Sequence, residues 1–160
     1  MTSMTIQFSE QAKVKFNEFL THYPTKQAAL LPTLWLAQEE FGLISLEVMA
    51  YIAQLLEISP SHVYGVATFY TMFHLKPVGK YNVQVCRTLS CALMGSEKIL
   101  DHLKNKLNVD EGGTTLDGKF TLCTVECLAS CDTGPAMMVN EKYFESLTPQ
   151  KVDEVLNNLK

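Results

Sequence analysis

The chain has 160 residues and a formal net charge of −4, with 47% hydrophobic and 19% charged residues. That balance and the lack of any long basic run argue against a nucleic-acid partner, and no apolar run approaches the roughly 20 residues of a membrane span. A chain this long buries roughly 70% of its unfolded surface, so its five cysteines are not needed as staples, and their odd number argues against a closed disulfide framework. Residues 1–10 lack the charged and apolar regions of a secretory signal. A cytosolic, reducing context is therefore expected, where close cysteine pairs more often mean metal or redox chemistry than disulfides.

Residues 1–75 read as a helical bundle. Ser9 is placed to cap a helix whose apolar face carries Ala12, Val14, Phe16, Phe19 and Leu20. Pro24 and Thr25 break it. Lys26 to Phe41 is helical by composition, and Pro32 either kinks one helix or sits in the first turn of a second. Gly42 is a C-cap. Ser45 caps a third helix, Leu46 to Leu56, and Ser59-Pro60 opens a fourth. The fourth, running through Val63, Val66, Phe69, Tyr70 and Phe73, is apolar on most of its circumference. Such a helix is usually core; the alternative is a surface completed by another chain.

Residues 76–160 change character after Pro77 and Gly79. Tyr81, Val83 and Val85 alternate as a buried strand that runs straight into Cys86. A helical pattern begins at Cys91, and a helix is expected from about Ser96 to Leu107. Gly112-Gly113 is a turn. Phe120 to Val125 follows the Asp117-Gly118 turn as a second strand. Ala136–Val139 and Tyr143-Phe144 flank a hairpin turn at Asn140-Glu141, and Thr148-Pro149 starts a closing helix with Val152, Val155, Leu156 and Leu159. The order βαβββα gives a small sheet with helices against it. The whole is an α+β protein, helices first and sheet domain second.

Cys86 and Cys91 form one close pair; Cys127 and Cys131, bracketing Leu128-Ala129-Ser130, form another. Four thiolates at one point can bind zinc, a [2Fe–2S] cluster or a [4Fe–4S] cluster. Gaps of four and three residues are unlike the two-residue knuckles of zinc sites and of bacterial four-iron runs. A Rieske centre needs two histidines, and His74 and His102 stand far from the cysteines in sequence. No Cys-x-x-Cys dithiol is present. Spacing thus favours [2Fe–2S], with zinc second and free structural thiols remaining open. Cys123 shares a strand face with Thr121 and Val125 and reads as a small buried hydrophobe. Residues 87–90, between strand end and helix start, and the 128–130 loop can both turn backbone amides toward sulfur. Arg87 either adds charge there or is simply solvated. Ser90 and Ser130 have no evident base partner, and Glu126 reads as a surface charge. No dinucleotide fingerprint or phosphate loop occurs.

The stretches Cys-Arg-Thr-Leu-Ser-Cys-Ala-Leu-Met-Gly (86–95) and Thr-Val-Glu-Cys-Leu-Ala-Ser-Cys-Asp-Thr-Gly-Pro (124–135) resemble the thioredoxin-like [2Fe–2S] subunits of NADH:quinone oxidoreductase, respiratory complex I. Ala-Leu-Leu-Pro (29–32), Ala-Gln-Glu-Glu-Phe-Gly (37–42) and Val-Ala-Thr-Phe-Tyr (66–70) are similar to that family's helical motifs. The resemblance covers nearly the whole chain. It implies a thioredoxin-like [2Fe–2S] ferredoxin domain over 76–160 behind a helical region over 1–75, with one [2Fe–2S] cluster on Cys86, Cys91, Cys127 and Cys131. The chain departs from the family at Ala129-Ser130, where Gly-Ala is usual, and at Cys123.

The resemblance also implies partners: a flavoprotein subunit carrying FMN, NADH and a [4Fe–4S] cluster, and further peripheral-arm subunits. A cytoplasmic location, peripheral to the inner membrane (the matrix side in a mitochondrion), follows from it, without direct membrane insertion. A cluster that takes one electron cannot accept a hydride, so NADH oxidation is expected of the flavin chain and not of this one. Related diaphorase subunits of NAD-linked hydrogenases and formate dehydrogenases share the cysteine pattern. A zinc-stabilised interaction module is the alternative from another class.

Overall fold

The computed structural model describes residues 6–159. Residues 1–5 and Lys160, which the sequence assigns to the two regions above, lie outside them. The chain divides into two compact units, Met1–Pro77 and Val78–Lys160.

The first unit is helical: α1 (Glu10–His22), a 3-10 turn (Lys26–Ala29), α2 (Leu30–Phe41), α3 (Leu46–Leu56) and α4 (Pro60–Phe69). The Ser9, Ser45 and Ser59 side chains accept from the amides of Ala12, Val48 and His62, each at 3.2 Å. Such a cap is worth about 1 kcal/mol. Pro32 takes the second of its two expected places, in the first turn of α2, where its missing N–H is not needed. Gly42, at φ 78°, ends α2.

The core gathers Leu34, Ile52, Leu56 and Val63, all fully buried, with Phe8 and Phe16. Buried Gln38 joins α2 to the segment after α4: its amide nitrogen donates to Met72 O (3.0 Å) and its oxygen accepts from His74 N (2.6 Å). Two sequence expectations change. Val14 is 68% exposed, because it lies two residues from both Ala12 and Phe16 and so points away from their face. The fourth helix ends at Phe69, with Tyr70 as its C-cap. It buries Val63 and Ala67, while Tyr64 and Phe69 are exposed and Phe73 is buried from the turn beyond.

The second unit holds a four-stranded sheet in the order β2-β1-β3-β4. Its strands are β1 (Tyr81–Cys86), β2 (Phe120–Val125), β3 (Met137–Val139) and β4 (Lys142–Phe144). β1 and β2 are parallel, with Val83 opposite Leu122 and Cys86 opposite Val125. β1–β3 and β3–β4 are antiparallel. Between β1 and β2 run α5 (Leu89–Leu93) and α6 (Ser96–Leu107); α7 (Pro149–Asn158) closes the chain. Val83, Val85, Leu122 and Met137 form one core with Ile99 and Leu103 of α6 and Val152 and Leu156 of α7. The strand takes in Cys86, and the helical pattern at Cys91 proves to be a separate short helix, α5.

Candidate metal centre

β1 and β2 run parallel, so both end on the same edge of the sheet, and the cysteine-bearing segments leave from that edge. Cys86 is the last residue of β1. Cys91 sits in α5. Both are buried, in a small apolar cluster with Val125, Leu128 and Ala136. Cys127 and Cys131 are exposed, on either side of the loop that follows β2.

Burial pushes the Cys86 thiol up. The amides of Thr88 and Leu128, the Thr88 hydroxyl and the Cys91 thiol outweigh that by hydrogen bonding to its sulfur, so its pKa lies below the ordinary thiol value. Cys91 moves the other way, raised by burial, by its bond to the Cys86 sulfur and by the charges of Cys86 and Cys131, against an opposing bond from the Ala136 amide. Cys91 thus lies within electrostatic reach of both Cys86 and Cys131. Ala129 N donates to Cys127 Sγ at 3.3 Å. Such a contact suits a thiolate that carries charge, and the amides of Thr88, Leu128 and Ala136 are among the influences that lower the pKa values of Cys86 and Cys91.

Gly134 completes the cradle. A Cβ built there would stand 3.4 Å from Cys91 Sγ and 3.6 Å from its Cα, in van der Waals contact with that residue. The donor set is thiolate only. Among the described residues no three His, Cys, Asp or Glu side chains converge as ligands of a single metal ion.

Cys123 stands apart. Its Sγ faces Asn82 Oδ1 at 3.5 Å, and burial, with the charge of Glu111, raises its pKa to about 11. It is a neutral thiol at physiological pH. Arg87 is exposed and its Nε donates to Glu126 Oε1 at 3.1 Å, so its charge is largely offset. Ser130 is not without a partner: its hydroxyl donates to Glu145 Oε1 at 2.7 Å. Ala129, where glycine would be at ease, holds φ 58°, a conformation that costs a non-glycine residue roughly 1–2 kcal/mol. Glu145 had no signal in the sequence, because nothing in its neighbourhood marks it as the partner of a serine 15 residues earlier. Leu89, Leu93 and Met94 are exposed on and just after α5, an apolar rim beside Cys91.

Residues 16–160 match the family model of the thioredoxin-like [2Fe–2S] ferredoxins. The chain is 41% identical over 138 residues to the second NADH-quinone oxidoreductase E subunit of Rhizobium meliloti, covering 86% of this chain and 82% of that protein. It is 38% identical over 159 residues to the NADH-quinone oxidoreductase E subunit of Rickettsia prowazekii, covering 98% and 90%. Among solved structures, an NAD+-reducing [NiFe]-hydrogenase in the air-oxidised state aligns with a TM-score of 0.69 at 19% identity, over 81% of this chain and only 22% of that one. That last likeness speaks for the fold alone.

Proposed function

This chain belongs to the thioredoxin-like [2Fe–2S] ferredoxin family, among the E subunits of NADH-quinone oxidoreductases, and on that premise we propose that it is the one-electron carrier beside the flavin of an NADH dehydrogenase module. Its proposed ligands are Cys86, Cys91, Cys127 and Cys131. The observation that carries this reading is that the parallel pairing of β1 with β2 brings the segments bearing Cys86 and Cys91 and those bearing Cys127 and Cys131 to one end of the sheet. When bound, a [2Fe–2S] cluster accepts and returns a single electron.

The chain's own residues bury two of the four thiols, donate hydrogen bonds to sulfur, and leave the other two at the surface where a partner can approach. Amide donors favour the more negative, reduced state. Residues 76–160 are the proposed cluster domain and 1–75 a helical region used for assembly.

The chain works within a multisubunit oxidoreductase. The specific partner we propose is the flavoprotein subunit with FMN, NADH and a [4Fe–4S] cluster, with further peripheral-arm subunits around it. Among the described residues no helix is long and apolar enough to cross a membrane; the proposed place is the cytoplasmic face, or the matrix side in a mitochondrion, held there by the complex. The related diaphorase role is the second reading, because those subunits share the cysteine pattern, and identification of the other chains in the native complex separates the two.

Anaerobically purified protein is expected to be red-brown and to hold two irons and two acid-labile sulfides per chain, as a [2Fe–2S] centre requires. Equimolar zinc without iron, in a colourless protein, would replace this reading with a zinc-stabilised interaction module. A second expectation concerns assembly. Phe69 is 76% exposed on a helix that already buries Val63 and Ala67, which supports a surface completed by another chain. Phe69→Ser should weaken association with the flavoprotein subunit about tenfold at unchanged iron content; undiminished association would reduce that face to incidental exposure.

A further inference from the structure

The 127–131 loop is tied down at two residues, Leu128 by burial in the apolar cluster beside Cys86 and Cys91 and Ser130 by a polar contact. Ser130 is 8% exposed, and its hydroxyl donates to the half-buried Glu145 carboxylate at 2.7 Å. That carboxyl is held below its usual range by Ser130 first and by the nearby Thr133 hydroxyl second; the Thr133 Oγ1 is itself buried without a partner in hydrogen-bond geometry.

The segment carrying Glu145 straps the same region again. Ser146 donates to Thr133 O through its amide (2.6 Å) and its hydroxyl (3.5 Å), and Leu147 N to Pro135 O (3.0 Å). Those contacts hold the chain after Cys131. Of these bonds, only Ser130–Glu145 reaches between the two cysteines. Glu145 is anchored in turn, its carbonyl accepting from Lys151 Nζ at 2.6 Å. Both connected segments hold positive φ at non-glycine residues, Ala129 at 58° and Ser146 at 48°. Strained backbone of this kind persists only where its surroundings hold it.

We propose that the Ser130–Glu145 pair is a latch that fixes the 127–131 loop in the conformation presenting Cys127 and Cys131, so that Glu145 is a positioning residue acting through Ser130. The latch keeps the Ala129 amide on the Cys127 sulfur, and with it a hydrogen bond that stabilises the reduced centre. This inference rests on the cluster reading above.

The test uses the full-length, cluster-loaded protein and the variants Ser130→Ala, Glu145→Ala, Glu145→Gln and Ser130→Ala/Glu145→Ala. Anaerobic bleaching by EDTA is expected to run on the order of tenfold faster in each alanine single variant, the loss of one charge-assisted hydrogen bond. The double variant should bleach no faster than either single one, and Glu145→Gln, which keeps the acceptor, should stay near wild type. Ser130→Ala leaves the Glu145 charge in place, and its midpoint potential should fall below that of wild type. Wild-type bleaching rates in both alanine variants would overturn the latch, as would effects that multiply in the double variant, or an unshifted potential in Ser130→Ala. The failures are distinguishable: wild-type protein without iron and sulfide defeats the cluster reading before any variant is compared, whereas a loaded protein indifferent to these changes defeats the latch alone.

Discussion

Cys86→Ser is expected to strip the protein of its iron–sulfur spectrum, lowering bound iron by on the order of tenfold or more, while Cys123→Ser leaves the spectrum unchanged. The contrast follows from environment, since the exchange of sulfur for oxygen is the same in both. Cys86 packs beside Cys91 at the end of the sheet from which the cysteine-bearing segments leave, and hydrogen bonding at its sulfur holds its pKa below the ordinary thiol value despite burial. Soft thiolate suits iron; an alkoxide is a poorer match. Cys123 is the reverse, a thiol held neutral by burial with a pKa of about 11 and facing Asn82. Serine in its place makes the same contact with a smaller atom. Cys91→Ser, Cys127→Ser and Cys131→Ser should fail as Cys86→Ser does. Visible absorption and iron analysis of the five variants decide the matter: an intact spectrum in Cys127→Ser with loss in Cys123→Ser would mean that a different cysteine completes the set.

The isolated chain should give no reduced-cluster EPR signal with NADH, and a full one when the flavoprotein subunit is added. A hydride carries two electrons, and four cysteine sulfurs offer no group to receive it; a flavin accepts both and passes them on singly. With no imidazole among the proposed ligands, the potential should sit near the plant-type value of about −400 mV rather than in the Rieske range. EPR of each sample with NADH, and with dithionite as the reference for full reduction, measures this directly. A signal from the isolated chain with NADH alone would overturn the division of labour. A potential far above the plant-type value would show that the amide donors do more than thiolate ligation leaves room for.

Much of the architecture was legible because its signals are local. The cap serines Ser9, Ser45 and Ser59 each bond an amide three residues on, and the strand Tyr81–Val85 alternates within itself. The two cysteine pairs are likewise short-range patterns. What the sequence hid depends on contacts distant along the chain. The end of α4 at Phe69 is one case, since Phe73 keeps the apolar rhythm going but is buried from a turn outside the helix. Val14 is different, since its spacing of two residues from both Ala12 and Phe16 already sets it off their face in the sequence. Ser130 looked like a turn residue without a base, yet its carboxylate partner comes from a segment beyond a β-hairpin. The departure at Ala129 could be read in sequence, but only the backbone showed that alanine takes the left-handed conformation there.

The parallel pairing of β1 with β2 bears on how the protein is made. In register, Cys86 lies opposite Val125, so the edge from which the cysteine-bearing segments leave does not exist until the second strand has been synthesised and docked. Cys91 and Cys131 are separated by 40 residues, and translation at about 5–20 residues per second leaves roughly two to eight seconds between them. During that interval the first two sulfurs are chemically available but have no companions, and a slip of one residue in strand pairing would turn Cys86 to the wrong side of the sheet. On the proposed ligand set, loading waits until Cys127 and Cys131 have emerged and β2 has paired with β1. Cells that make this chain faster than they can supply iron and sulfide should accumulate a folded but empty form, with the exposed Cys127 and Cys131 the first to be lost to oxidation.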